Sequence, residues 1–173
     1  MHFAKFCAAI SLISSTIALP ITGTSIVRRD LQFRKYADFQ ISGGEAGNAL
    51  SEAQAKFPID TSNLKGVSSS DLAIINAARE TAEAAETDAF NGQIKAASGA
   101  AATALQNGKI KNKVLKLFLE VSALQIQQAQ GADNQDKIDE ETKKLNNNIS
   151  LDKKVAGQTS KGVTFTGDVQ PKN

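Results

Sequence analysis

An apolar pattern with helical period begins after Ser68 and continues to Phe90. Ser68 followed by Asp71 has the form of a capping box, in which the serine side chain accepts a hydrogen bond from an amide of the first turn. One face then carries an apolar residue every three or four positions, at Ile75, Ala78, Ala82, Ala85 and Ala89. Because alanine dominates this face, we expect a partner helix to approach closely while burying little apolar area.

The longest predicted helix runs from about Lys109 to Gln130 and is apolar on two sides. One stripe consists of Ile110, Val114, Leu117, Val121 and Leu124, and a second, almost opposite, consists of Leu115, Leu119 and Ile126. A helix that is apolar on two sides needs neighbours on both. We therefore expect this helix to lie at the centre of the fold.

A short amphipathic first helix is predicted before Pro58. It starts between Ser42 and Ala46, and the proline ends it because proline lacks the backbone amide that a helix interior needs. The residues upstream are expected to be extended or irregular, with Tyr36 and Phe39 packing across the bundle.

Two Asn-Gly pairs predict breaks between the two stronger helices. Asn91-Gly92 and Asn107-Gly108 have the composition of turns. A weaker helix over 93–106, interrupted by Gly99, is expected between them.

A turn at residues 131–134 and a last helix complete the pattern. One face of this helix is formed by Ile138, Thr142, Leu145 and Ile149. On its exposed side, Asp139 precedes Lys143 and Glu140 precedes Lys144 by four positions, which predicts ion pairs. One long coiled coil from Ile110 to Ile149 is the alternative, but glutamine and glycine would occupy its seam, so a hairpin is favoured.

These patterns predict an all-α fold, a small helical bundle of four to five helices with a flexible N-terminal leader and propeptide and an extended C-terminal tail. The helical domain is assigned to 30–157 and a flexible tail to 158–173. Val163 and Phe165 alternate with threonines in this tail, so a short strand or a docked extended arm is the alternative there.

The N-terminal residues have the properties of segments that are removed during secretion. Residues 1–18 combine a basic start, an apolar stretch and small residues up to Ala18, which predicts a signal peptide cleaved after Ala18. The dibasic pair Arg28-Arg29 is typical of a processing site. We therefore predict a propeptide over 19–29 and a mature chain that begins at Asp30; two solvated arginines on a flexible arm are the alternative.

Removal of these segments changes the available chemistry. The single cysteine, histidine and methionine are Cys7, His2 and Met1, and the chain has no tryptophan. The mature chain then lacks a thiol and an imidazole, which excludes cysteine and serine–histidine nucleophiles, Cys/His zinc sites and disulfides. We expect no cofactor, no metal and no enzymatic activity.

Processing also changes the charge balance. The whole chain has 20 basic and 18 acidic residues, a net charge of +2. The removed segments contain three basic residues, Lys5, Arg28 and Arg29, and no acidic residue. The mature chain then has 17 basic and 18 acidic residues, a net charge of −1. A near-neutral chain gives no basis for binding nucleic acid.

A row of glutamates is the candidate for acid chemistry. Glu80, Glu83 and Glu86 recur at the spacing of carboxylate ligands on a helix, but helical di-iron sites also use histidine, so a solvated face is the favoured interpretation. A carboxylate-dependent hydrolase stays a low-ranked alternative.

A lysine cluster and a sequon are the candidates for contact and modification. Lys109, Lys113 and Lys116, together with Lys111, lie beside leucines, which predicts either a contact surface for anionic polymer or lipid or an ordinary solvated face. Asn148-Ile149-Ser150 makes Asn148 a candidate for glycosylation.

Several segments together resemble a group of small secreted proteins of filamentous ascomycete fungi. They are Phe39–Leu50, Ala55–Asp60, Asp71–Glu86, Gln106–Lys116 and Gln125–Gly131. The resemblance covers nearly all of the mature chain. It implies an extracellular location and an effector-like role at the fungal surface or host interface, and it transfers no catalytic residue.

Two kinds of function follow from these features. The first is a secreted, non-enzymatic monomer that acts by contact with a protein, a wall polymer or a lipid surface, without spanning a membrane. The alternative is an extracellular carrier of a small apolar ligand or lipid, held between the central helix and its alanine-rich neighbour. The burial of the two apolar stripes decides whether either one offers a binding surface.

Overall fold

The computed structural model describes residues 31–172. The predicted signal peptide, the pair Arg28-Arg29 and the predicted mature N-terminus at Asp30 lie outside the described residues. The described chain is mostly helical, which confirms the all-α prediction. Its elements in chain order are α1 (Tyr36–Phe39), β1 (Gly44–Glu45), α2 (Ala49–Lys56), a 3-10 helix (Thr61–Gly66), α3 (Ser69–Ala85), a π-helical segment (Glu86–Phe90), α4 (Asn91–Ala96), α5 (Gly99–Ala129), α6 (Gln135–Lys154) and β2 (Thr159–Ser160).

Helix α3 begins at the predicted cap and continues past the predicted break. The Ser68 hydroxyl accepts a hydrogen bond from the Asp71 amide at 3.0 Å. The break at Asn91-Gly92 is wrong, because a π-helical turn joins α3 to α4 through the bond from the Asn91 amide to the Glu86 carbonyl. Phe90 is fully buried at the end of this turn.

Helix α5 runs without interruption through Asn107-Gly108, so the second predicted break is also wrong. The Asn107 side chain donates to the carbonyl of Thr159 at 3.0 Å, which uses the side chain that would otherwise favour a turn. The interruption predicted at Gly99 is confirmed, because Ala97 and Ser98 are extended between α4 and α5, and Gly99, with a φ of +56°, is the first residue of α5.

The position of α5 at the centre of the bundle is confirmed. Its main partners are α3 and α6, and α2 also packs against it. Seven residues of the two predicted stripes are buried, namely Val114, Leu115, Leu117, Leu119, Val121, Leu124 and Ile126. Both apolar sides are therefore covered by the rest of the chain.

The hairpin between α5 and α6 is confirmed, while α2 begins later than predicted. Residues 44–45 belong to a strand, so the helix starts only at Ala49. Its N-terminus is capped from a distance: the Ala49 amide donates to Oδ2 of the buried Asp152 in α6 at 2.9 Å. This bond fastens α2 to α6.

The segment after α6 is a docked extended arm, which corrects the flexible tail predicted over 158–173. Strands β1 and β2 pair antiparallel, with Gly44 opposite Ser160 and Glu45 opposite Thr159. Farther along the arm, the Lys161 amide donates to the backbone carbonyl of Ala104 in α5 at 2.9 Å. The arm is ordered because the helices offer partners for its backbone groups and a buried position for Val163.

An aromatic cluster joins the arm to the N-terminal segment. As predicted, Tyr36 and Phe39 are buried, although they form the single turn α1. The Tyr36 ring packs edge-on against Phe39 at 5.5 Å and against Phe165 of the arm at 5.8 Å. The Tyr36 hydroxyl donates to Asn112 in α5 at 2.8 Å, and the Tyr36 amide donates to Asp168 of the arm at 2.6 Å.

Replacing Gly108 by alanine should detach the arm from α5. A Cβ atom there would lie 1.9 Å from the Lys161 carbonyl oxygen and 3.0 Å from that of Ser42, and both are backbone atoms that cannot rotate away. We expect Gly108→Ala to lower the free energy of unfolding by about 1–3 kcal/mol, measured by urea denaturation.

Gly92→Ala is the matched control for this substitution. Gly92 is exposed in α4, and a Cβ atom there would meet no heavy atom within 4 Å. This variant should gain up to about 1 kcal/mol from helix propensity. A Gly108→Ala variant as stable as Gly92→Ala would contradict the close contact between the arm and α5.

The Tyr36 hydroxyl should lose its proton at an unusually high pH. Burial raises the pKa of Tyr36 to about 12, and a hydrogen bond with Ser42 lowers it by less. Since the unfolded pKa is about 10, the neutral phenol stabilises the fold fully below pH 10, and this contribution of about 2–3 kcal/mol is lost as the pH rises towards 12. The chain has one tyrosine and no tryptophan, so tyrosinate absorbance reports this residue alone. A midpoint near pH 10 with the helices intact would overturn the prediction, and denatured protein supplies the reference curve.

Candidate functional site

Lys111 is the centre of the most unusual polar site in the described chain. Its sequence neighbours suggested a basic surface, but its exposed fraction is 0%. The ammonium group donates to the carbonyls of Gly43 and Glu45, both at 2.9 Å, and to Oε1 of Glu52 at 3.0 Å. These acceptors match the three hydrogens of the ammonium group. One side chain of α5 therefore binds the β1 segment and α2 together.

An open cleft of about 460 Å³ lies beside this buried lysine, between α2 and the segments that flank it. Its lining residues are Gln40, Ile41, Gly43, Glu52, Ala55, Lys56 and Gly162. Gly43 and Glu52 belong to both features, since they line the cleft and also bind Lys111. The ammonium of Lys111 thus fixes two parts of the cleft wall.

The α2 wall of the cleft carries a carboxylate and an ammonium group. Glu52, Ala55 and Lys56 share one helix face because they are three and four positions apart. The Lys56 ammonium donates to the carbonyl of Asp38 at 2.7 Å. The Lys56 carbonyl in turn accepts a hydrogen bond from the guanidinium of Arg34. The N-terminal segment therefore holds this wall in place.

The two glycines that line the cleft have different surroundings. A Cβ atom at Gly162 would lie 2.5 Å from Oε1 of Gln40, so a larger residue there would have to displace the end of the Gln40 side chain. A Cβ atom at Gly43 would meet no heavy atom within 4 Å, so this position is open. The cleft is lined by the apolar residues Ile41 and Ala55 and by two residues of opposite charge, Glu52 and Lys56. This combination is suited to binding a ligand that has both polar and apolar parts.

The predicted contact lysines lie outside this cleft and pair with the predicted glutamate row. Glu86 lies 3.2 Å from Lys113, 3.4 Å from Lys116 and 3.8 Å from Lys109. Its side chain is only 13% exposed, so the solvated face predicted for this row is wrong at Glu86. The π-helical turn begins at this residue and places it between α3 and the lysines of α5.

Arg79 extends the same row. Its guanidinium group lies 3.1 Å from both Glu80 and Glu83, and 2.9 Å from Glu120 in α5. Together with Lys109, Lys113 and Lys116 it pairs with an equal number of carboxylates beside the α3–α5 contact, those of Glu80, Glu83, Glu86 and Glu120. The two charged rows singled out in the sequence therefore neutralise each other inside one chain.

The glycosylation candidate Asn148 lies within α6. It is half-buried, and its side-chain amide donates to the Lys144 carbonyl at 2.9 Å. Use of this sequon stays a prediction. Nearby, the ion pair Glu140–Lys144 is confirmed at 2.7 Å, and this ammonium group lowers the pKa of Glu140. Asp139 instead accepts a hydrogen bond from Gln135.

Two observations bear on other kinds of site. Among residues 31–172, no three histidine, cysteine, aspartate or glutamate side chains come together in a way that could hold a metal ion. No helix in this part of the chain has the length and apolar character needed to cross a membrane.

The sequence holds one signal for the buried lysine that the prediction of a basic contact surface overlooked. Lys111, Leu115 and Leu119 are spaced by four, so the lysine continues the second apolar stripe of α5 towards its N-terminus. A charged residue in phase with a buried stripe indicates an internal partner. No sequence pattern identifies that partner, because Gly43 and Glu45 act through backbone carbonyls.

Replacing Lys111 by methionine should destabilise the whole chain. Methionine keeps the length of the side chain but leaves two carbonyls and Glu52 without their donor. We expect Lys111→Met to lower the free energy of unfolding by about 2–4 kcal/mol in urea denaturation. The control Lys95→Met removes an exposed lysine from α4 and should change stability by less than about 0.5 kcal/mol. Equal effects of the two substitutions would contradict the role of Lys111.

A family model matches residues 31–164, a span that contains Lys111 and all the residues that line the cleft. It also passes from the helical bundle into the docked arm. No curated protein and no solved structure matches the chain. Because the family match covers most of the sequence, this protein belongs to DUF8454, a family described as a domain of unknown function.

Proposed function

We propose that this chain is the precursor of a secreted, non-enzymatic fungal protein that acts by contact at the cell wall or the host interface. The observation that carries the proposal is the open cleft, which presents a charged and apolar wall to a ligand while the other candidate charges pair within the chain. A monomer without a cofactor suffices for this role.

The packing of the first residues after the predicted cleavage site supports processing at the dibasic pair. The Leu31 amide donates to the carboxylate of Asp71 at 2.9 Å, and Asp71 is buried at the start of α3. The Leu31 side chain packs against the core. The family match also begins at residue 31. Cleavage after Arg29 would therefore keep Leu31 and its contacts in the mature chain.

Ion pairing supports contact over catalysis. General acid–base chemistry needs a carboxyl group that is available to a substrate and matched in pKa to its task. Glu83 and Glu86 instead pair with Lys116 across the α3–α5 contact, and Glu83 also pairs with Arg79 of its own helix. The low-ranked hydrolase alternative therefore gains no support from this row.

The alternative of an apolar-ligand carrier also has less support. The alanines of α3 and the two stripes of α5 pack in one continuous core. A crevice beside the aromatic cluster, lined by Phe33, Phe39 and Phe57 among others, holds about 10 Å³, roughly the space of one water molecule. The cleft beside α2 is large enough for a ligand, but its charged groups favour a polar one.

Expression of the full chain in a fungal secretory host tests this proposal. We expect the protein in the medium, with an intact mass that starts at Asp30, and co-sedimentation of this protein with isolated fungal cell walls. The double variant Arg28→Ala, Arg29→Ala should keep residues 19–29.

Each result has a separate meaning. Retention of the uncleaved chain inside the cells would overturn secretion. A secreted chain that starts at residue 19 would overturn the propeptide. Secreted protein that binds neither cell walls nor host-surface preparations would overturn the contact function.

A further inference from the structure

We propose that the cleft beside α2 binds a small zwitterion, a molecule with an ammonium group and a carboxylate a few ångströms apart. Free amino acids and short peptides are the two sources of this chemistry. The inference rests on the contact function proposed above and names the ligand class of its cleft.

The charges of the α2 wall carry this inference. Glu52 and Lys56 are one helical turn apart, with Cβ atoms separated by about 6 Å, yet each is held by a different group. The carboxylate of Glu52 lies 2.9 Å from the ammonium group of Lys111, and the ammonium group of Lys56 donates to the backbone carbonyl of Asp38 at 2.7 Å. A negative and a positive group are thereby held apart at two ends of one wall.

A ligand with the reverse order of charges complements this wall. Its ammonium group donates to the Glu52 carboxylate, and its carboxylate accepts from Lys56. A ligand with one charge complements only one of these groups and leaves its apolar body against the other, which is unfavourable. Complementarity of both charges therefore selects zwitterions over simple acids and amines.

The size and lining of the cleft limit the ligand further. A volume of about 460 Å³ lies within the range of small-molecule sites. Ile41 and Ala55 add apolar surface to the lining of the cleft. An amino acid with an aliphatic side chain, such as leucine, uses the charged wall and this apolar surface together.

Titration of the isotope-labelled, secreted protein with leucine tests the inference by amide chemical shifts. We expect saturable shifts at Gly43, Ala55 and Gly162. N-acetyl-leucine, which lacks the ammonium group, and leucinamide, which lacks the carboxylate, should each bind at least about tenfold more weakly. A leucyl dipeptide distinguishes the sources: tighter binding than leucine indicates peptides, and weaker binding indicates free amino acids.

Three variants locate the site without relying on Lys111. Lys56→Met should weaken leucine binding at least about tenfold. Gly43→Leu should block the cleft, and its side chain has room because no heavy atom lies within 4 Å of a Cβ atom there. Lys154→Met removes an exposed lysine at the end of α6 and should leave binding unchanged.

The outcomes separate this inference from the proposed function. Shifts absent up to about 20 mM leucine, or equal binding of leucine and either blocked analogue, overturn the zwitterion site. Binding that survives both Lys56→Met and Gly43→Leu overturns its location. Wall binding without leucine binding would refute the inference alone, whereas leucine binding without binding to cell walls or host-surface preparations would refute the proposed function alone.

Discussion

The ammonium group of Lys111 has to find three acceptors inside the protein, and residues 43–52 are folded around that requirement. A charge in the interior is stable only while its hydrogen-bond partners stay in place. Gly43 and Glu45 present their carbonyls to this group, and Glu52 adds the opposite charge. The β1 segment and the first turn of α2 therefore cannot leave α5 without exposing or orphaning the charge. The same bonds hold Gly43 and Glu52, two residues that line the cleft, in place.

The rest of the bundle faces the related constraint that alanine buries little apolar area. Helices α3 and α5 pack through small side chains such as Ala78 and Ala82, and a row of ion pairs runs beside this contact. A single exposed ion pair contributes little to stability. Here the π-helical turn brings Glu86 among three lysines, where its side chain is mostly covered and the pairs share partners. Side-chain charge thus supplements an interface that is poor in apolar surface.

The sequence was sufficient where a local pattern had a local cause. The Ser68 cap, the double-sided α5 and the turn before α6 follow from residues that are neighbours along the helix. The two Asn-Gly breaks failed because distant groups changed the preference: Thr159 occupies the side chain of Asn107, and a π-helical turn carries the chain through Asn91. The cleft was not predictable, since its walls come from three segments brought together by backbone carbonyls and by the arm.

The arm links the cleft to the stability of the whole chain. Gly162 lies in one wall of the cleft, and the neighbouring residues Ser160 and Val163 are buried against the bundle. Any ligand that binds only when this wall is in place must stabilise the docked arm by the same free energy. The family match ends at residue 164, so it includes the part of the arm that builds the cleft and leaves out the later contacts at Asp168 and Val169. The matched span therefore contains both the bundle and the part of the arm that lines the cleft.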